Sequence, residues 1–105
     1  NVCIAILADG GHLLHLARMD GASPANARIA VEKGRTAAET RRSTTAWQER
    51  IAKRPELLNM PQVTPVRGGL PIMVDGVCVG GVGISGVQSH EDEQIAAAGI
   101  KALTG

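Results

Sequence analysis

The chain has 105 residues, of which 44% are hydrophobic and 20% charged, and a formal net charge of +1. This length and composition predict a single folded domain over residues 1–105. The low charge, with one tryptophan and no phenylalanine or tyrosine, argues against a nucleic-acid-binding protein. No apolar run reaches the roughly 18 residues of a membrane span, so no membrane partner is expected.

The two cysteines lie far apart, each in an apolar run. Cys3 and Cys78 form no CxxC pair and no haem-attachment motif. Isolated cysteines in apolar surroundings are typical of reduced, buried thiols. We therefore expect a cytoplasmic protein without a disulfide.

The first segments predict an antiparallel hairpin. Residues 2–8 form a continuous apolar run, which indicates a strand buried on both faces. The Asp-Gly-Gly sequence at 9–11 predicts a turn, and residues 12–18 predict a second, more polar strand.

Helices are predicted next. Ser23 as N-cap with Pro24 at the first helical position predicts a helix to about residue 40, whose apolar face consists of small residues. A capping box at Thr45 suggests a short second helix ending before Arg54. The long loop over 57–69 is more often functional than idle.

The C-terminal third predicts a hairpin followed by a helix. Asp75-Gly76 lies between two apolar runs and is a strong two-residue hairpin signal. Ser89 and Asp92 match a helix start, so we expect a helix over about 91–103. Its inward positions are predicted to be Ile95, Gly99, Ala102 and Leu103.

The element order is thus β-β-α-(α)-β-β-α, which predicts an α+β domain with an antiparallel sheet. A core without phenylalanine or tyrosine is thin, and a sheet edge that begins the chain needs cover. Both features favour a homo-oligomer, at least a dimer, and a larger closed assembly is favoured over a dimer.

Two patterns suggest chemistry, but each has a simpler explanation. Residues 81–86 match GxGxxG, but the preceding hairpin is not the parallel strand of a dinucleotide site. Close packing of a helix or subunit on the glycine-rich strand explains them better. His12 and His15 are three residues apart on a strand and so point to opposite faces, and no metal site is predicted.

Four segments in order resemble the GlcG/HbpS family, which also includes the C-terminal domain of PduO-type proteins. The resemblance covers essentially the whole chain. It is carried by residues 8–14 (ADGGHLL), 18–22 (RMDGA), 33–38 (KGRTAA) and 68–72 (GGLPI), with 84–86 (ISG) and 92–96 (DEQIA) following.

The resemblance implies a profilin-like α+β domain that assembles into homo-oligomers. It also implies binding of haem, which some members degrade, while others lie beside catabolic pathways with no settled activity. Members normally carry an N-terminal helix before the first strand, and this chain starts without one. We therefore expect that such a helix has been removed.

The resemblance also points to a pocket. Lys33 and Thr36 match the family's Lys-x-x-Thr helix stretch, and Gly68-Gly69 with Pro71 match its loop-to-strand motif. Lys33 and the glycine amides would bind a carboxylate or haem propionate, Thr36 would add a hydrogen bond, and Trp47 would line the pocket. His15, flanked by Leu14 and Leu16, is favoured over His12 as an axial ligand of haem.

Three functions remain open. The first is a small-ligand or haem-binding oligomeric accessory protein of a catabolic pathway. The second is an enzyme that acts on a small polar metabolite, a carboxylate or a compound derived from a diol, in the pocket of Lys33, Thr36 and Gly68-Gly69. The third is a structural or regulatory subunit without a ligand.

Overall fold

The computed structural model describes residues 1–60 and 62–104. The side chains are described for those of these residues that lie at or before position 102. The elements in chain order are β1 (Cys3–Ala8), β2 (Leu13–Arg18), α1 (Pro24–Thr40), α2 (Thr44–Lys53), a 3-10 turn (Pro55–Asn59), β3 (Gly69–Val74), β4 (Val77–Ser85) and α3 (Ser89–Thr104). The strands form one sheet in the order β2-β1-β4-β3. Every neighbouring pair is antiparallel, so the predicted α+β class is confirmed.

The strongest local signals form the predicted structures. Asp75 and Gly76 connect β3 to β4 with φ of 51° and 77°, because a two-residue hairpin turn needs positive φ at both central positions. At the start of α1 the Ser23 hydroxyl accepts a hydrogen bond from the Asn26 amide, with Pro24 in the first turn. Helix α1 then ends at Arg41 in the left-handed region.

The other two helices begin earlier than predicted. The N-cap of α2 is Ser43, whose hydroxyl accepts from the Ala46 amide at 3.1 Å, so the predicted cap at Thr45 is wrong. Helix α3 begins at Ser89 because the Asp92 carboxylate accepts from the Val87 amide at 3.2 Å and fixes the preceding turn.

The inward face of α3 also differs from the prediction. Asp92 and Ala96 are buried, while Gly99 and Ala102 are exposed. The Asp92 side chain is buried, and the inward face of α3 is therefore rotated relative to the predicted one. The predicted inward position Leu103 lies outside the described side chains. Pro61 of the long loop lies outside the described residues.

The sheet is sandwiched between α1 on one face and α3 on the other. Against α1, a buried cluster forms from Cys3, Ala5, Leu7, Ala22, Ala30 and Ala38. Against α3, a second cluster forms from Val2, Val82, Ile84 and Ala96, with Ile4, Ile6, Leu70 and Ile100 only partly buried. Strand β1 is therefore fully buried on one face and partly buried on the other, and not buried on both as predicted.

Glycines set the distance between α1 and β4. A Cβ added at Gly83 would lie 1.9 Å from the Ala30 carbonyl oxygen, and one at Gly81 would lie 2.4 Å from that of Gly34. The GxGxxG pattern thus serves helix packing, in a sheet with no parallel pair among its strands.

Cys3 is buried and Cys78 is half-buried, and both thiols are free. None of the helices described is long and apolar enough to cross a membrane.

Candidate functional site

Lys33 lies in the interior and not beside an open pocket. Its side chain is about 3% exposed, and its ammonium donates to the Ile84 carbonyl at 3.0 Å and to the Asp92 carboxylate at 3.1 Å. Because Lys33 belongs to α1 and Asp92 to α3, this ion pair connects the two helical layers past the end of β4. Two of its three ammonium protons are used within the protein.

The glycines of the predicted pocket pack directly against Lys33. A Cβ at Gly68 would lie 2.9 Å from the Lys33 ammonium, and one at Gly69 would lie 2.3 Å from the Lys33 carbonyl oxygen. The Gly69 amide donates to the Thr44 hydroxyl at 2.9 Å. Lys33, Gly68 and Gly69 are therefore packed neighbours, and the two glycines have no room for a Cβ beside Lys33.

Thr36 and Trp47 also have partners within the chain. The Thr36 hydroxyl accepts from the Thr64 amide at 2.9 Å and so fastens the long loop to α1. Trp47 is buried, donates from its indole to the Thr40 hydroxyl at 2.9 Å, and lies under the Arg50 guanidinium. A ligand-binding role for Lys33, Thr36, Trp47 and the two glycines stays a prediction.

Helix α3 leaves an apolar groove open on its face of the sheet. The groove has a volume of about 170 Å³ and is lined by Ile4, Ile6, Ile72, Val82, Ile84, Ile95, Ala96, Gly99 and Ile100. Gly99 contributes to the opening because it has no side chain, and an added Cβ there would meet nothing within 4 Å. Nothing in the sequence pattern identified this groove, because its residues come from four separate elements.

His15 belongs to the same face of the sheet as the groove. It lies directly opposite Ile6 in the β1–β2 register, and directly opposed residues of antiparallel strands have side chains on the same face. Since neighbouring strands are about 4.8 Å apart, the His15 backbone is about one strand spacing outside Ile6. His15 is exposed, and it lies one strand outside Ile6, which lines the groove.

Pro71 lies on the far side of α3. With Leu70, Met73, Ala97, Ile100 and Lys101 it lines a shallower depression at the β3 edge. Since Ile100 lines both this depression and the groove, the two adjoin along α3. Pro71 of the predicted pocket thus contributes to an open surface near the groove.

A polar depression lies at the turn between β1 and β2. It is lined by Gly10, Gly11, His12, Leu13, Glu32, Arg35, Glu39 and Gln62. The Arg35 guanidinium donates to the Gly11 carbonyl at 3.3 Å and to the Glu32 carboxylate at 2.7 Å. Charged residues of α1 therefore meet the turn glycines. Among the residues described, no group of three potential metal ligands is close enough to hold an ion.

A second ionic contact joins α2, the long loop and α3. Glu93 accepts hydrogen bonds from the Thr45 hydroxyl and from the Arg67 guanidinium. Partial burial raises the pKa of the Glu93 carboxyl, but these hydrogen bonds and the positive charge of Arg67 outweigh it, and the pKa lies below its ordinary value. The Nε of Arg67 is buried with no hydrogen-bond partner among the described residues.

Residues 1–101 match the family model described as haem degrading protein HbpS-like. The chain belongs to this family. The GlcG protein of Escherichia coli K12 is 45% identical over 86 residues, which are 81% of this chain and 64% of that protein. The chain is thus shorter than the curated GlcG proteins and spans 64% of their length.

Two solved structures of high similarity define the fold relationship. A double mutant of HbpS from Streptomyces reticuli has a TM-score of 0.90 and 33% identity, over 97% of this chain and 70% of that one. A structure described as a PduOC:Heme complex has a TM-score of 0.86 and 26% identity, over 96% of this chain and 77% of that one.

Proposed function

We propose that the chain is a haem-binding accessory protein of a catabolic pathway, with the porphyrin against the apolar groove and His15 as an axial ligand. The observation that carries the proposal is the position of His15, an exposed imidazole on the same sheet face as the groove. A PduOC:Heme structure with the same fold, and the description of the matching family, support haem as the ligand.

The residues of the groove fit such a ligand in chemistry and in part in size. Haem supplies a redox-active iron on a flat apolar ring, and histidine is a common axial ligand. The groove wall is almost wholly aliphatic. Its volume of about 170 Å³ is below the roughly 300–1,000 Å³ of small-molecule sites, so this chain covers one edge of the ring rather than enclosing it.

Haem titration followed by absorption spectroscopy tests the proposal. The wild-type chain should develop a sharpened Soret band, and His15→Ala should raise the Kd at least tenfold. His90→Ala is the matched control, because His90 is also exposed but lies at the start of α3. Equal haem affinity in the His15 and His90 variants would contradict the axial assignment.

Gly99 allows the groove to be filled without loss of stability. Gly99→Leu should place an aliphatic side chain in the groove and weaken haem binding, while helix propensity favours leucine over glycine by about 0.5–1 kcal/mol. Gly99→Ala is the control, since it raises helix propensity and leaves most of the groove open. Haem binding that survives Gly99→Leu in a more stable protein would place the ligand elsewhere.

An enzyme acting on a small polar metabolite is the alternative function. The observation that favours it is the polar depression, where the Arg35 guanidinium, His12 and Glu39 meet glycine backbone. In the sequence-based version of this alternative, the pocket is formed by Lys33, Thr36 and Gly68-Gly69.

Lactate, a small carboxylate, is a suitable probe for this alternative. A rise in Tm with lactate that is lost in Arg35→Gln supports the depression, and a loss in Thr36→Val instead supports the sequence-based pocket. A chain that responds to neither haem nor lactate fits a ligand-free subunit.

A further inference from the structure

The position of α3 leaves half of its sheet face uncovered. Among the described residues, α3 packs on β3 and β4 but not on β1 or β2. Ile4 and Ile6 of β1 are therefore only half-buried, and Ala17 and His15, which lie opposite them on β2, are exposed. The groove is the step between this open half of the face and the side of the helix.

The strand order determines what the two opposite edges of a bound porphyrin would meet. Strand β2 is an outermost strand, followed inward by β1 and β4. With strands about 4.8 Å apart, Ile6 lies one spacing inward from His15, and Val82, opposite Ile6 on β4, lies two spacings inward. Under the proposed function, on which this orientation rests, one edge of a ring held by His15 reaches over Ile6 into the groove. The opposite edge extends past β2, beyond the sheet.

The groove offers no positive charge to a propionate. Among the described residues that line it, none is charged. Glu91, Ile95 and Gly99 are spaced four residues apart and so form one stripe on α3, in which Glu91 is exposed and negatively charged. Lys101 of the same helix lines the depression at β3 instead. A carboxylate that entered under α3 would lose its water without gaining a partner, and burial of an unpaired charge is costly.

We propose that the groove distinguishes the two edges of the porphyrin. The edge that carries the vinyl and methyl groups enters between α3 and Ile6, and the two propionates stay on the solvent side, beyond β2. Ile95 and Gly99 determine this specificity, because they belong to the helical wall that the entering edge meets. The ligand class is a porphyrin with at least one edge free of carboxylates.

A comparison of iron porphyrins tests the orientation. Haem has carboxylates on two neighbouring pyrroles, whereas iron coproporphyrin III has one on each of its four pyrroles. In Soret titrations the wild-type chain should bind iron coproporphyrin about tenfold more weakly than haem, because every orientation buries a carboxylate without a partner. Iron mesoporphyrin, with ethyl groups in place of the vinyl groups, is the control. Its Kd should lie within about threefold of that of haem, since its apolar edge has a similar area.

A lysine in the groove should remove this preference. Ile95 is 38% exposed, so it can be replaced without emptying the core. In Ile95→Lys the ratio of the two Kd values should fall from about ten to about one, because the new ammonium pairs with the entering carboxylate. Ile95→Met should keep the wild-type ratio. Ala97→Lys is the matched control, with the same charge on the depression side of α3. If Ile95→Lys does not fold, Gly99→Lys places the charge where an added Cβ meets nothing within 4 Å.

The outcomes separate the ligand from its orientation. If no porphyrin develops a sharpened Soret band, the proposed function fails, and the orientation fails with it. If haem binds through His15 but iron coproporphyrin binds equally well, the proposed function stands and the orientation is wrong. An equal fall of the ratio in Ile95→Lys and Ala97→Lys, with circular dichroism unchanged, would show a general attraction between charges and would also overturn the orientation.

Discussion

The two faces of the sheet bind their helices with opposite kinds of residue. On the α1 face, glycine and alanine let helix and strands approach so closely that Gly83 has no room for a Cβ. On the α3 face, branched residues such as Ile4 and Ile6 stay only partly buried, and a groove remains beside Ala96 and Ile100. Small residues let α1 pack against its face of the sheet without a gap. The larger branched residues under α3 are only partly covered, and a groove remains between them and the helix.

This difference separates the face of the sheet that holds the most buried residues from the face that carries the proposed binding groove. The α1 face holds the fully buried residues Cys3, Ala5 and Leu7, and any change there alters backbone packing. The α3 face is less completely buried and presents apolar surface, and His15 lies on the same face of the sheet. The Lys33–Asp92 ion pair joins the two sides.

The largest effect is expected when this connection is cut. Asp92→Ala leaves the Lys33 ammonium buried without its carboxylate and removes the acceptor of the Val87 amide. Loss of one partner of a buried pair costs about 3–5 kcal/mol, because the other charge remains uncompensated. Urea unfolding should show this loss as a lower midpoint.

A double substitution separates charge from packing. Lys33→Met with Asp92→Leu removes both charges and keeps similar volume, and we expect it to be more stable than Asp92→Ala alone. A double variant as unstable as the single one would mean that the backbone contacts of the pair, and not its charge balance, hold the two layers together.

Gly83→Ala should destabilise the α1 face by about 3 kcal/mol. The added Cβ would lie 1.9 Å from a backbone oxygen of α1, which cannot move without shifting the helix. Gly99→Ala on the other face adds the same methyl group in open space and should stabilise by about 0.5–1 kcal/mol. Thermal unfolding of the two variants should therefore move Tm in opposite directions.

Adjacent residues of β1 allow a matched comparison of the two faces. Leu7 is 1% exposed on the α1 side, and Leu7→Ala should cost about 3–4 kcal/mol. Ile6 points to the half-covered α3 side, and Ile6→Ala should cost about 1–2 kcal/mol, since its side chain keeps part of its contact with water. Equal losses in urea unfolding would show that the α3 face is closed in solution, as it would be under a further covering segment.

Local signals in the sequence were sufficient for the start of α1 and for the β3–β4 hairpin. Ser23-Pro24 located α1 to the residue, and Asp75-Gly76 located the hairpin, because capping and positive φ depend on neighbouring residues alone. The start of α3 depended on Asp92 reaching back to Val87 and inward to Lys33. A contact across 59 residues has no local signature, so the helix face was predicted wrongly.

The site could be predicted less well than the fold. Lys33 and Gly68-Gly69 were expected to be close, and they are, but whether neighbours enclose a pocket or fill it depends on distances of about 1 Å. The groove required knowing that α3 covers only part of its face. His15 could be selected as a histidine between leucines, yet its place beside the groove follows from the β1–β2 register.

The smallest expected effect concerns the second connection between the layers, the contact of Glu93 with Thr45 and Arg67. Arg67 is 36% exposed, so solvent screens the pair and its contribution is about 0.5–1 kcal/mol. The pKa of Glu93 is lowered in the folded protein, so its stabilising contribution is full above the unfolded value near 4.5 and is lost as pH falls through the folded pKa. The stability difference between wild type and Glu93→Gln should therefore be constant from pH 7 to 5 and shrink below about 4.5. A difference that persists unchanged to pH 3 would mean that the charge of the Glu93 carboxylate contributes nothing to the stability of the folded chain.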